Sequence, residues 1–443
     1  MNKRVCRICR VYLVIAAALA SGWAEAADLL SVYRDAVAND PQFTAARASL
    51  DAGRESLPQG RAGLLPTLGV NVNSTWNSEN YRLRPAGNID KRYNSNGWVA
   101  QLTQPLFRWQ NWVAYTQSEL AVAQAEAQFA QARQELALRV TQTYFDVLSA
   151  QEALVTAQAQ KAAISEQLEA AKRNFEVGSA TITDTHEAQA RFDLVGAQEI
   201  AAQSELEIRR QMLRTLLGKE PEGLKNLKPG VTLGAPQPND IGKWVEMAES
   251  SSPAVQASQA GLEIASREIE RQRAGHYPTL DLVATRSHNA VADSPFFGGY
   301  EADNHTVGVQ LSIPLFAGGY TMSKGREAVA RKEKAAADLE NSRRQAALAA
   351  RQTYLGVTSG LAQVKALEAA QTSSQSALDS NKLGYEVGVR INIDVLNAQS
   401  QLYDTRQKLV RARLDTLLAL LRLKAAAGIL GEEDIAAINA LLE

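Results

Sequence analysis

Between Pro105 and Gly178 the chain runs for 72 residues, Leu106 to Val177, without a glycine or a proline. Nothing in that stretch stops a helix, and Ala, Gln, Leu and Glu dominate it. At 1.5 Å per residue, a helix of roughly 65 residues is about 100 Å long. A single globular core has no use for such a rod. After Gly178 a second helical stretch runs back to Gly218, so the unit is a hairpin. The plan recurs with a helix from about Met322, a turn around Gly384 to Asn392, and a helix to Ala427. Gly356 and Gly360 weaken that second rod locally without ending the pattern. Val410, Leu414, Leu417 and Leu421 keep the 4-3-4 spacing of a coiled-coil seam.

The recurrence extends beyond the helices. Gly63-Leu64-Leu65-Pro66-Thr67-Leu68 matches Gly275-His276-Tyr277-Pro278-Thr279-Leu280. Leu102-Thr103-Gln104-Pro105-Leu106-Phe107 matches Leu311-Ser312-Ile313-Pro314-Leu315-Phe316, and Phe175-Glu176-Val177-Gly178 matches Tyr385-Glu386-Val387-Gly388. The offsets are 212, 209 and 210 (278 − 66, 314 − 105, 388 − 178). Nearly constant offsets mean a duplication. One repeat is expected over 27–240 and the other over 241–428, each with a strand pair feeding a helical hairpin (108–217 and 321–427).

Strands are expected at 67–76, 97–107, 279–288 and 305–316. In the first, Leu68, Val70, Val72 and Trp76 share one face, and Thr67, Asn71, Asn73 and Thr75 the other. In the last, Val307, Val309, Leu311, Ile313 and Leu315 oppose Thr306, Gly308, Gln310 and Ser312. Period 2 over about 10 residues suits a tilted membrane strand. A soluble sandwich with one wet face would show the same alternation. Trp76, Trp98, Trp109 and Trp112 lie in or beside the first pair, as an interfacial girdle requires. The polar stretches 77–96 and 286–304 are expected to be long outer loops.

Residues 1–26 have the form of a signal peptide. Lys3, Arg4, Arg7 and Arg10 precede a short apolar run, and Ala24-Glu25-Ala26 suits cleavage. An uncleaved anchor is the competing reading, but Val11 to Ala20 is too short to span a bilayer. Cys6 and Cys9 both precede that run, so a mature chain would hold no cysteine.

The formal net charge of −1, with both signs interspersed, argues against a nucleic-acid binder. The four histidines, His186, His276, His288 and His305, lack metal-ligand spacing, and no phosphate-binding glycine loop is present. Thr183-Asp184-Thr185-His186-Glu187 sits at a helix start without a nucleophile. The expectation is therefore no enzyme, no cofactor and no metal, with energy supplied by a partner.

Four strands cannot close a barrel, and lipid does not tolerate an open sheet edge. Membrane strands would thus demand oligomerisation, with 8, 12 or 16 strands for two, three or four copies.

The chain resembles the TolC-type outer-membrane channel-tunnels, of the outer membrane efflux protein family. The resemblance is carried by Asp28-Leu29-Leu30-Ser31-Val32-Tyr33 and by Gly275 through Leu282. It is also carried by Val387-Gly388-Val389-Arg390-Ile391-Asn392-Ile393-Asp394-Val395-Leu396-Asn397-Ala398, and by Gly431-Glu432-Glu433-Asp434. It covers essentially the whole mature chain. It implies a mainly α fold with membrane β: a homotrimer forming a 12-stranded outer-membrane barrel and a periplasmic α-helical tunnel. It also implies an equatorial belt from 219–250 plus 429–443, a periplasmic adaptor and an inner-membrane ABC or RND-type transporter.

The family closes its periplasmic end with polar links between hairpins, which by position would be Thr183 and Asp184 with Tyr385 and Arg390. An Arg–Asp pair plus a Tyr hydroxyl can latch two helical ends at modest cost. Ordinary turn and capping duty is the alternative for these residues. The family's acidic entrance ring maps to Asp394 and Asn397, and the second is not an acid here, which implies a weaker cation-attracting field. The expected function is a passive exit duct for type I protein secretion or multidrug efflux, gated by untwisting hairpins. The rival is a pore-less coiled-coil protein spanning the periplasm. A plain diffusion porin has no need of the long helices.

Overall fold

The computed structural model describes residues 27–443 apart from Ala86 and Glu222, so the expected signal peptide lies outside the described residues. The chain runs through α1 (Leu29–Asn39), α2 (Pro41–Arg54), α3 (Ser56–Ala62), β1 (Thr67–Leu83), β2 (Gly87–Phe107), α4 (Trp109–Glu176) and α5 (Ile182–Leu217). It continues through α6 (Ile241–Ser251), α7 (Pro253–Arg273), a 3-10 turn (Ala274–His276), β3 (Thr279–Ser294) and β4 (Gly298–Ser312). It ends with α8 (Tyr320–Glu386), α9 (Asn392–Ala426) and α10 (Glu432–Asn439). No helix among the described residues is long and apolar enough to cross a membrane. Two compact units result, one of residues 48–129 and 254–342, the other of the remaining segments.

The first unit holds one antiparallel sheet in the order β1-β2-β3-β4. The β1–β2 register is unbroken from Thr67↔Thr103 to Leu83↔Gly87. The long loops expected at 77–96 and 286–304 are therefore corrected. The chain stays in strand through most of both and, among the described residues, turns only around 84–85 and 295–297. Backbone pairing does not need apolar side chains. With polar residues on both faces, the hydrophobic contrast that reveals a strand in sequence vanishes. β4 stops at Ser312 rather than 316, just before Pro314, which has no N–H to give to a ladder. At the junction into α4, Arg108 donates to both oxygens of the nearly buried Asp281 at 2.8 and 2.6 Å.

The second unit holds the closed ends of both helical hairpins. Each turn hinges on a left-handed glycine, Gly178 (φ 77°) and Gly388 (φ 79°), where an L side chain would be strained. The amides just past these glycines return to the helix: Ser179 N–H donates to Asn174 O (2.8 Å) and Val389 N–H to Gly384 O (2.8 Å). Elsewhere in this unit, Asn226 and Glu443 exchange backbone hydrogen bonds of 2.9 and 2.8 Å. Thus the segments 219–250 and 429–443 meet. Trp244 from the first of these is buried with Val357, Leu423 and Ala427.

Candidate functional site

Two regions carry the features that the sequence marked. The first is the sheet. Cross-strand partners share a face, so Leu68, Leu102, Ala284 and Val307 form one row on the apolar side. On the two edge strands this side is exposed. Val72 is 80%, Trp76 81% and Val307 77% exposed. An exposed apolar strip of this extent cannot be left to water. The band also runs diagonally. From the shared row it extends one way on β1, through Val70, Val72 and Trp76. On β4 it extends the opposite way, through Val309 and Leu311. Strands of a closed barrel tilt against the barrel axis, so a band level with the membrane must cross hydrogen-bonded rows obliquely. β1 and β4 are the sheet's two edges, each paired on one side only.

The second region is the hairpin end, where the turns α4–α5 and α8–α9 lie. Ile164, Leu168 and Ala171 of α4 pack with Ala188 and Val195 of α5 and Leu396 of α9. Leu378 of α8 packs with Val395 and Leu402 of α9. Polar contacts cross between the hairpins on this apolar support. The Asn174 amide donates to the Tyr385 hydroxyl at 3.3 Å. The fully buried Asn392 accepts from the Gln167 amide at 2.5 Å and donates to the Asp184 backbone carbonyl at 3.4 Å. Arg191 donates to the Asn397 side-chain oxygen at 2.8 Å. Between α4 and α5, the Lys161 ammonium donates to Glu199 at 2.7 Å and holds that carboxyl below its ordinary range.

Within one chain the candidate latch residues are only partly brought together. Asp184 is occupied locally: its carboxylate accepts from the Thr181 amide (2.9 Å) and hydroxyl (2.8 Å), closing a capping box at the start of α5. Arg390 pairs with Asp394 at 3.7 Å inside its own turn. Asp184 and Arg390 make no ion pair with each other in the chain, and Thr183 is exposed beside them. Links cross between the hairpins at Tyr385, Asn397 and the Asp184 carbonyl, but their partners Asn174, Arg191 and Asn392, and Gln167 beyond Asn392, are residues that sequence reasoning passed over. Asn392 carried a usable signal. It lies three and four residues before the core-facing Val395 and Leu396, so it shares their helix face.

The family model described as outer membrane efflux protein matches residues 32–219 and 244–429. The chain belongs to that family. Outer membrane efflux proteins are transport proteins of the outer membrane, and the family is not one of enzymes. Among its members, the outer membrane protein TolC of Vibrio cholerae is 32% identical over 423 residues, covering 95% of this chain and 94% of that protein. The proteases secretion protein PrtF of Dickeya chrysanthemi is 32% identical over 436 residues, covering 96% and 93%. The crystal structure of the outer membrane protein VceC from Vibrio cholerae superposes with a TM-score of 0.76 at 21% identity, covering 90% of this chain and 96% of that one. The efflux-protein fold, mostly helical with one β-sheet, is thus shared at low identity, whereas membership rests on the sequence match.

Proposed function

We propose that three copies of this chain close a 12-stranded barrel in the outer membrane, and that their helical hairpins continue it as a tunnel through the periplasm. The duct passes secreted protein or drugs that an inner-membrane ABC or RND-type transporter delivers through a periplasmic adaptor. The observation that carries this reading is the four-stranded sheet with an exposed apolar face and two unpaired edges. Lipid would solvate the face but not the edges, so β1 of one copy must pair with β4 of the next. The secretion protein PrtF and TolC, each 32% identical, support the transport role.

In this reading the segments 219–250 and 429–443 form a belt around the tunnel. The hairpin end is the closed periplasmic entrance. Tyr385, Arg390, Thr183 and Asp184 latch it, with the Arg390–Asp184 contact made between neighbouring copies, and Asp394 and Asn397 line its narrowest part. Opening follows when the second hairpin untwists from the first.

Two measurements test the assembly. Purified protein in planar bilayers should conduct, and absence of conductance would favour a pore-less rod. A cysteine at Asn73, paired with cysteines scanned over 304–310, should give a disulfide-linked ring of three copies. A ladder ending at two copies, or no cross-link at any register, would overturn the trimeric barrel.

A further inference from the structure

The polar face of the sheet changes character toward the β-hairpin turns. Near the helices it carries Asn71, Asn73 and Thr75 on β1. Further along, the same alternate positions become Glu79 and Tyr81, with Tyr93 opposite Asn77 and Lys91 opposite Glu79 on β2. Tyr300 joins the same face on β4, opposite Val291. The Tyr93 hydroxyl donates to the Glu79 carboxylate at 2.9 Å, and Tyr81 stands two residues beyond Glu79 on the same face of β1. The cation across the strand does not neutralise this carboxylate, because Lys91 turns to Asp293 at 2.5 Å. The Tyr81 ring stands edge-on to Phe296 at 5.1 Å between centroids. Tyr93, Lys91 and Asp293 are half-buried, whereas Arg92 and Ala292, which point to the other face, are exposed. At this end of the sheet Tyr93, Lys91 and Asp293 therefore crowd together on the polar face, while Tyr81 and Tyr300 stay exposed there.

A carboxylate held by a phenol hydroxyl and flanked by aromatic rings is chemistry for an organic cation. The rings offer their negative faces to the charge and their surface to its alkyl or aromatic body. A phenol supplies no counter-charge, and among the described residues Glu79 forms no ion pair. We propose that Glu79, Tyr81 and Tyr93 form an exit collar on the inner wall of the barrel, at its β-hairpin end, that accepts hydrophobic organic cations. In the three-copy barrel the collar would present three such carboxylates and six such tyrosine rings. It lies in the sheet, on residues distinct from the hairpin-end residues Asp394 and Asn397. The collar rests on the duct reading, because only a closed barrel turns this face toward a lumen.

The test is single-channel recording with tetrabutylammonium added to one side at a time. Block from the β-hairpin side is expected for the wild type. Glu79→Gln should weaken it by about tenfold, and Tyr81→Leu/Tyr93→Leu by a similar factor. Tyr81→Phe/Tyr93→Phe keeps the rings and should retain block, as should Asp394→Ala, which acts at the other entrance. Hairpin-side block that Glu79→Gln leaves unchanged would overturn the collar, as would a conducting wild type without such block. If the double leucine variant fails to insert, Glu79→Gln alone decides. A wild type that does not conduct at all would instead refute the duct, and the collar with it.

Discussion

Arg191 on α5 donates to the Asn397 side-chain oxygen on α9 across 2.8 Å. Asn397 is thus held by a cation from the other hairpin. Asn397→Asp would make this contact charge-assisted, and such bonds are about twice as strong as neutral ones. Resting conductance should fall by about threefold. The new carboxylates should strengthen cation block only weakly, because Arg191 offsets them. Arg191→Ala/Asn397→Asp should show the full gain, and Asp394→Ala a loss of cation selectivity and of block from the helical-hairpin side, with block from the β-hairpin side retained. Equal gains with and without Arg191 would mean that the contact is not made in the channel.

The Tyr385 hydroxyl accepts from Asn174 at 3.3 Å, and Arg390 reaches Asp394 at 3.7 Å, a weak and largely exposed pair. Neither contact holds much by itself. If the two residues also latch neighbouring copies, removing them should loosen the entrance. Tyr385→Phe and Arg390→Ser are each expected to raise resting conductance in planar bilayers, the double variant most. A double variant as closed as the wild type would remove both residues from the latch.

The helices were legible because they are long and uninterrupted, and because Gly178 and Gly388 mark the two turns with the same chemistry. The apolar part of β1 and β4 was legible where Leu68, Val70 and Val72, or Val307, Val309 and Leu311, alternate with polar neighbours. The polar arms, 77–83 and 87–96 among them, were not, since Asn, Ser and Tyr on both faces leave no period to read. At the hairpin end, sequence pointed to the right turns but not to the partners. Asp184 has two local donors on Thr181 that reach it at no cost in loop closure, and so it caps α5. Which distant amide meets Asn392 depends on the register between hairpins, which no local pattern encodes.

Asn392 is fully buried and joins Gln167 on α4 to the Asp184 carbonyl on α5. Truncating it removes two hydrogen bonds to half-buried partners, each worth about 0.5–1.5 kcal/mol net. Asn392→Ala should therefore lower stability by at least that amount and raise resting conductance. Gln167→Ala should cost less, because Asn392 keeps its second partner. The double variant should fall short of the sum, since the two side chains share one bond. Thermal unfolding of all three proteins measures this, and strict additivity would mean that the bond contributes nothing.

Gly356 and Gly360, four residues apart on α8, face α9 at different distances. A Cβ at Gly360 would stand 2.5 Å from Thr416 Oγ1 and 3.3 Å from its Cβ and Cγ2, whereas at Gly356 the nearest atom is the Ala419 Cβ at 4.0 Å. Thr416 is buried and its hydroxyl donates to the Ala412 carbonyl at 2.7 Å, so turning it aside breaks that bond. Alanine gains up to about 1 kcal/mol over glycine in a helix interior. Overpacking a tight contact costs about 1–3 kcal/mol. Gly356→Ala should accordingly stabilise the protein, and Gly360→Ala should destabilise it. Thr416→Ala should recover part of the Gly360→Ala loss, because the hydroxyl and methyl are gone while the Cβ at 3.3 Å remains. Unfolding temperatures that rise alike for both glycine variants would show that α8 and α9 are not in close contact at Gly360, and that the second hairpin is less tightly seamed than its buried Thr416 implies.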